Sequence, residues 1–542
     1  MFFSTLSTSY MKRRDFLRRT ATMATAGVAL PHIVEGLPLY ASSPVDRFGS
    51  SIQNADNILI VVQLFGGNDG LNTIIPVQDP AYVRLRPNLA LNQNEAVRIL
   101  TSNTFMHPAL ADPTIPNRGF QGLMEQGRLA IVQNVGYENP NLSHFRSTDI
   151  WLSGFNSSNP DDRLTTGWLG RHFAKNFSAS NPNALPDYPL CVQVGGTLSM
   201  MFRSDRGDMG IALDDPEAFF RLGRGVNPDD ESPGDGSTYA QEYDYIKTIA
   251  AKSDRYSQVV KDAFDRGRNT VDTYAAGFAQ QLRLVARLIS GGLQSKVYMV
   301  YLGGFDTHVS QQARIMQGTF SGLHPRLLRD LSTGISQFMQ DAIQQRFADR
   351  VVGLTISEFG RRPEENGSRG TDHGAASVQF VFGNNVRGGV YGQNPNLTDL
   401  NANGDVKYEF DYRRVYAEML STWLGATSTD LQDILQARVN PLPVLNARAT
   451  SVRALVQSNA QAMQISPQPC TGTATLRFEL REQAHVEITL FDLRGIGEPI
   501  LSRSLMIPGH HTVPLNIANS GQYFVGLRVN GVLFTEPLVV LR

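Results

Sequence analysis

Three apolar runs in this chain each stop at a polar turn that carries glycine. They are "NILIVVQLFGGNDGLNTIIP" from Asn57, "KVYMVYLGGFDTH" from Lys296 and "RVVGLTISEFGR" from Arg350. Runs of this length, rich in Val, Ile and Leu and closed by turn signals, read as buried strands. "VQFVFG" makes a fourth. Between them lie stretches of helical period, one from about Tyr239 to Ser290 with Ile246, Ile249, Val259, Val260 and Phe264 facing inward, another from roughly His324 to Arg346. "DYRRVYAEMLSTWLG" is a last amphipathic helix with Gly425 as its stop. Strands alternating with helices predict an α/β domain whose doubly wound, mostly parallel sheet is covered on both faces. Near Ser466 the helical period ends. Short alternating runs follow ("TATLRFEL", "HVEITLFDL", "HHTVPLNI", "GQYFVGLRV", "VLFTEPLVVL"), which predict a small C-terminal all-β sandwich.

In an open α/β sheet, ligands sit beyond the carboxyl ends of the strands. Gly66-Gly67-Asn68-Asp69 follows the first run, Gly303-Gly304-Phe305-Asp306-Thr307-His308 the second, and Ser357-Glu358-Phe359-Gly360-Arg361 the third, with Asp372-His373 a little later. Distant segments thus deliver carboxylates and imidazoles to one edge. Asp69, Asp306, His308, Glu358, Asp372 and His373 are the candidate metal ligands. Oxygen and imidazole donors without thiolates suit zinc, manganese, magnesium or calcium.

Other features narrow the classes. The formal net charge is -1 and there is no basic stripe, so no nucleic-acid partner is expected. Cys191 and Cys470 are too few and too far apart for a disulfide framework or a zinc knuckle; one bridge or two free thiols remain open. "GVNPDDESPGDGSTY" reads as a solvated acidic loop. "DLNANGDVKYEF" matches the first half of a calcium loop, but Phe410 stands where the closing Glu is needed, so a tight turn is expected. No stretch is long and apolar enough to span a bilayer, and no integral membrane protein is expected.

"FGGNDGLNTIIP", "SHFRSTDIW", "TGWLGR", "GGFDTH", "SEFGR" and "GTDHG", in this order between Asn57 and Gly425, resemble the domain of unknown function 1501 family. That family resembles the alkaline phosphatase and sulfatase superfamily. The resemblance implies a sheet of that type and two divalent metals flanking a hydroxyl or thiol nucleophile. It places Asp69 as the first metal residue, Asp372-His373-Gly374 as the Asp-His-Gly motif, and Asp306 with His308 on the other metal. The nucleophile would open a helix within "NPNLSHFRSTDIWLSG". Ser143 is the candidate, with Ser147 or Thr148 as substitutes, and as an N-cap it has a purely structural alternative. Two departures stand out. The superfamily's pair is commonly Asp-x-x-x-His, whereas here it is Asp-x-His. The late histidine of that site has no counterpart, since His485, His510 and His511 all lie in the β-sandwich. The site would need rebuilding with Glu358 or His144.

The N-terminal "MKRRDFLRRTATMATAGVAL", with Arg13-Arg14, resembles a twin-arginine export signal. "LRFELREQAHVEITLFDLRG" and "SGQYF" resemble the sorting domain of the type IX secretion system of Bacteroidetes-type bacteria. The expected organisation is a signal over 1–41, the α/β domain over 57–445, a linker over 446–465 with room for one helix, and the sorting sandwich over 466–542. The function these readings imply is an exported, metal-dependent hydrolase of phosphate or sulfate esters. Its partners would be the twin-arginine translocase, the type IX machinery and an anionic ester. It would cross the periplasm to the cell surface or the medium as a soluble protein. The alternative is a secreted or surface binding protein that kept the fold without the chemistry.

Overall fold

The computed structural model describes residues 56–225, 256–446 and 460–541, with short breaks at 101, 160, 176, 178–185, 317–318, 481–482, 493–496 and 530–531, and a strand pair at His32–Val34 and Leu37–Leu39. Arg13-Arg14, the acidic loop after Gly225, and Ile246 and Ile249 lie outside the described residues. The chain divides into two compact units, one of which is Ser51–Ala447 while the other takes in Arg448–Arg542.

The first unit is built on a nine-stranded sheet. Its strands, in chain order, are β1 Ile58–Phe65, β2 Leu129–Gly136, β3 Cys191–Val194, β4 Gly210–Leu213, β5 Val297–Gly303, β6 Val351–Ile356, β7 Ser377–Gly383 and β8 Gly389–Tyr391, with a two-residue strand at Phe410–Asp411 beside β2. The spatial order is β4-β3-β5-β1-β6-β7-β2-β8. The pairings within β4-β3-β5-β1-β6 are parallel. Only β7 is reversed, antiparallel to both β6 and β2. The sheet is therefore mixed and mostly parallel, as the alternation of strands and helices predicted.

β1 shows why both faces must be covered. Ile58, Ile60, Val62 and Leu64 enter one core, packed by α4 (Phe278–Ser290) and α5 (Leu323–Gln344). Leu59 and Val61 enter the other, packed by α2 (His144–Ser153), α3 (Trp168–Ala174) and α6 (Tyr412–Glu418). α1 (Gly119–Glu125) joins the first core. A strand buried on both faces reads as a continuous apolar run, which is why it was legible without alternation.

The helical stretch expected up to Ser290 differs in one respect. Residues 256–266 are helical, and the chain then breaks before α4 begins at Phe278. The buried Asp341 carboxylate of α5 holds the break. It accepts from the Thr270 amide at 2.7 Å and hydroxyl at 2.6 Å, from Asn269 Nδ2 at 2.8 Å and from the Tyr274 hydroxyl at 2.9 Å. A tertiary partner of this kind has no local signature. The calcium-like stretch is a tight turn: Asn401 accepts from the amides of Asn403 and Asp405, both at 2.9 Å, and Asp399 pairs with Lys407.

The second unit is all β. One sheet has the order Ala460–Ser466, Thr473–Leu480, Gly509–Asn516, and another the order Gly497–Met506, Ala484–Phe491, Gly521–Val529, Val532–Val540. Their inner faces share one core containing Leu476, Phe478, Val486, Ile488, Leu515, Val525 and Leu527. Ala460–Ser466 corrects the expected linker: its last residues are a strand paired with Thr473–Leu480. Cys191 and Cys470 are both free and buried. Among the described residues no helix is long and apolar enough to cross a membrane.

A test of the sheet centre follows from Gly353 on β6. Its cross-strand partner is Phe382 of the reversed β7, and a Cβ at 353 would lie 1.9 Å from the phenyl Cζ. Gly353→Ala is expected to lower stability by about 2 kcal/mol through overpacking. In Phe382→Leu the added methyl should cost about 1 kcal/mol less, a non-additivity read from urea midpoints of the four-member cycle.

Candidate metal centre

The carboxyl ends of β5, β1 and β6 are level, with Gly303 paired to Phe65 and Ile356 to Gln63. The loops that follow these ends therefore start side by side. The fourth contribution arrives because β7 is reversed. After β6 the chain makes a hairpin, Gly360–Glu365 paired with Thr371–Gly374, and re-enters the sheet at the same edge through Ser377. Asp372 and His373 lie in the returning arm. The opening of α2 supplies His144.

Four side chains meet there. His308 Nε2 lies 3.1 Å from Asp306 Oδ1 and 3.0 Å from His373 Nε2. His373 Nε2 is 3.3 Å and His144 Nε2 3.5 Å from the same Asp306 oxygen. Donor atoms of His144, Asp306 and His373 all lie within 4.8 Å of one another, a group that can hold a metal ion.

The other ring nitrogens fix the tautomers. His373 Nδ1 donates to the Leu142 carbonyl at 2.9 Å, since a carbonyl can only accept. His308 Nδ1 donates to Asp372 Oδ1 at 3.0 Å and His144 Nδ1 to Glu358 Oε1 at 2.8 Å. Each neutral ring thus presents a bare Nε2. Lone pairs of several imidazoles and a carboxylate converge with no proton between them, and a shared cation is what such a set stabilises. Metal-bound histidines typically donate their other N–H to a carboxylate or carbonyl in this way. The donor separations of 3.0–3.5 Å compare with about 3.3 Å between neighbouring ligands of a four-coordinate zinc ion with Zn–N near 2.05 Å.

The electrostatics keep the carboxylates of Asp306 and Asp372 ionised. Burial pushes the Asp306 carboxyl up, but Arg361, His373 and His308 outweigh it and hold it at about 2. The hydrogen bond from Asn366 holds Asp372 below the usual carboxylate range. Burial lowers His373, whereas the bond to Glu358 raises His144. Glu358 is itself buried; Oε1 also accepts from the Gly66 amide at 2.8 Å, and Oε2 has no partner.

Asp69 is placed differently from its expected role. It is fully buried and accepts from Arg86 Nη1 at 2.6 Å and from Gln311 Nε2 at 2.5 Å. Burial pushes its carboxyl up, yet Arg86 outweighs this and keeps it low. Gln311 Oε1 in turn accepts from Thr307 at 2.9 Å and Thr371 at 2.7 Å, the neighbours of Asp306 and Asp372. Asp69 thus sits one layer beneath the cluster and braces it.

Ser143 stands at the N-cap position of α2 but makes no side-chain capping bond, and it is exposed. Its neighbours are both tied to the cluster, Leu142 through its carbonyl and His144 through its ring. Ser147 is buried instead, 2.6 Å from the Tyr137 hydroxyl and donating to the Glu358 carbonyl. An open groove of about 450 Å³ adjoins the centre and includes Arg84, Asn88, Glu364, Glu365 and Arg369 in its lining. It shares Asn366 with the cluster, whose Nδ2 lies 3.0 Å from Asp372 Oδ1. Sequence reasoning assigned no role to Arg361, Arg86 or Gln311. Arg361 stands in the "SEFGR" motif, directly after a strand end, and that position was its one available signal.

Residues 56–437 match the model of a family described as "Protein of unknown function (DUF1501)". The chain belongs to the DUF1501 family. No curated protein matches it. Among solved structures, this DUF1501 chain is similar to a protein in the alkaline phosphatase superfamily from Vibrio parahaemolyticus, at 10% identity over 98% of this chain and 92% of that one, with a TM-score of 0.31. It is similar to the phosphonate monoester hydrolase SpPMH from Silicibacter pomeroyi at 9% identity, over 89% and 88%, with a TM-score of 0.26. It also matches domains 4 and 5 of the S-layer protein SbsC at 15% identity over 15% of this chain, with a TM-score of 0.11, and spans 53% of that structure.

The geometry separates ligands from the carboxylates that orient them. Asp306→Asn is expected to abolish divalent-metal binding, measured by equilibrium dialysis against zinc and manganese. Asp372→Asn and Glu358→Gln should each weaken it only about 10- to 100-fold, because they disturb His308 and His144 rather than remove a donor.

Proposed function

We propose that the DUF1501 unit is a metal-dependent hydrolase of anionic esters, phosphate or sulfate, with Ser143 as nucleophile. One observation carries this reading. The Nε2 atoms of His144, His308 and His373 face Asp306 Oδ1 with every Nδ1 committed elsewhere, and the exposed Ser143, whose side chain makes no capping bond, directly precedes His144. The donor set fits a divalent ion, with Asp306, His373, His144 and His308 to hold it. Bound there, the ion would lower the pKa of a nearby hydroxyl and neutralise charge on the transferred group. The chain's own part is positional. The Leu142 carbonyl and His144 hold the Ser143 loop against the cluster. The first amides of α2 point toward an anion placed before Ser143. The Ser143 oxygen attacks phosphorus or sulfur as the bond to the ester oxygen breaks, and water releases the group in a second step.

Asp69 lies apart from this cluster: its Oδ2 accepts from Arg86 and Gln311, while its buried Oδ1 has no partner among the described residues. A cluster without that carboxylate supports a second reading, a secreted binding protein that retains the cluster without turnover.

The test pairs metal analysis with a panel of phosphate and sulfate esters. About one divalent ion per chain and turnover that falls at least 10³-fold in Ser143→Ala, with metal content unchanged, is the expected outcome. Full activity in that variant would move the nucleophile to Thr148 or a water. Metal without turnover on any ester would select the binding reading.

We also propose export through the twin-arginine translocase and outward passage by the type IX machinery, on the strength of Arg13-Arg14 and of the "FDLRG" and "SGQYF" segments. The destination would be the cell surface or the medium. Arg13→Lys with Arg14→Lys should leave precursor in the cytoplasm on immunoblots of cell fractions, and normal export of that variant would remove the targeting reading.

A further inference from the structure

Three exposed apolar side chains adjoin histidines of the metal centre. Phe145 follows His144 in the first turn of α2 and is 86% exposed. Phe65, at the carboxyl end of β1, is 41% exposed, and its ring centroid lies 5.7 Å from that of His144. Val309 follows His308 and is 65% exposed. Each thus adjoins a histidine of the cluster, in sequence or in space, though they come from three separate segments. Single exposed apolar residues need no explanation, but three that each adjoin a histidine of one cluster, in sequence or in space, call for one.

The groove on the Asn366 side does not compete for this role. Arg84 and Arg369 are balanced there by Glu364 and Glu365, and Glu365 already accepts from the Asn88 and Leu89 amides at 2.9 and 2.8 Å. It offers no net attraction for a second anionic group. With the charged end of an ester at the imidazoles and helix amides, the exposed apolar side chains that adjoin His144 and His308 are open to its alcohol end.

We infer that Phe65, Phe145 and Val309 seat the alcohol portion of the ester, so that the site selects esters of aromatic or flat apolar alcohols over small aliphatic or polyanionic ones. This rests on the anionic-ester reading of the same centre. A face of Phe145 that is open in the free protein stacks on the leaving group, and the surface it removes from water supplies the discrimination.

The experiment uses phosphonates, which cannot be turned over, so the readout is binding alone. The zinc-loaded full-length protein is titrated with phenylphosphonate and with methylphosphonate by calorimetry. Phenylphosphonate is expected to bind at least about fivefold more tightly. In Phe145→Ala that ratio should fall below about twofold, and Phe145→Tyr should restore it. Phe145 is solvent-exposed, so neither variant threatens the fold. A ratio near one in the unmodified protein, or a ratio unchanged in Phe145→Ala, overturns the inference and leaves the ester reading standing. Failure of both phosphonates to bind would sink the ester reading and the inference with it.

Discussion

The Arg361 guanidinium is almost wholly withdrawn from solvent, and five acceptors from three loops surround it. Its Nε donates to the Gly67 carbonyl at 2.8 Å and Nη1 to the Thr371 carbonyl at 2.8 Å. Nη2 reaches the Gly66 carbonyl, the Phe305 carbonyl at 3.0 Å and Asp306 Oδ1 at 2.8 Å. The loops after β1 and β5 and the returning hairpin arm are thereby fastened to one planar cation. Breaking a buried, fully bonded charge of this kind costs on the order of 3–5 kcal/mol, because its partners are left unpaired in a medium that cannot solvate them. The Asp306 Oδ1 that accepts from this clamp is the same oxygen that the imidazoles face. The Phe305 amide also donates to the Phe65 carbonyl at 3.1 Å and the Gly66 amide to Glu358 Oε1, but among the described residues Arg361 alone bonds both the Asp306 carboxylate and the Gly66-Gly67 carbonyls.

The clamp works only because the backbone comes close. Gly66 has φ +120, and a Cβ there would lie 2.3 Å from the Asp306 amide nitrogen. Gly67, at φ +78, is covered by the Phe359 ring. The two glycines therefore do two jobs at once: they take a turn that side chains resist, and they let the loop after β5 rest directly on the loop after β1. The reversed strand β7 completes the arrangement. A parallel crossover after β6 would have carried the chain back to the opposite edge; the antiparallel return leaves Asp372 and His373 where the clamp and the other histidines already are.

Much of this was legible in the sequence, for identifiable reasons. β1, β5 and β6 are buried on both faces, so they appear as apolar runs, and their glycine turns mark the ends. That was enough to bring Asp306, His308, Asp372 and His373 to one edge. Direction was not legible: "VQFVFG" is equally apolar whichever way it runs, and only the pairing with β6 and β2 shows the reversal. The break before α4 depends on Asp341, some seventy residues away, and the strand Ala460–Ser466 on a partner across the turn. Asp69 illustrates the same limit. Its position after β1 is as predicted, but whether a carboxylate there faces a metal or a guanidinium depends on Arg86, a residue with no motif around it.

The acidic groups around the cluster divide their labour. In the pattern that the DUF1501 motifs resemble, Asp372 and His373 would act together, and a further histidine near the end of the domain would complete the other site. Here Asp372 accepts from His308 Nδ1 and Glu358 from His144 Nδ1, so each carboxylate aims an imidazole. Aiming frees His308 to turn its Nε2 inward despite the short Asp-x-His spacing. His144, from the first half of the chain, brings a third imidazole to Asp306 Oδ1. Four donors from two loop regions and a helix start converge. In the folded chain the carboxylates of Asp372 and Glu358 thus stand behind imidazoles that face Asp306, and one of those imidazoles comes from a helix start.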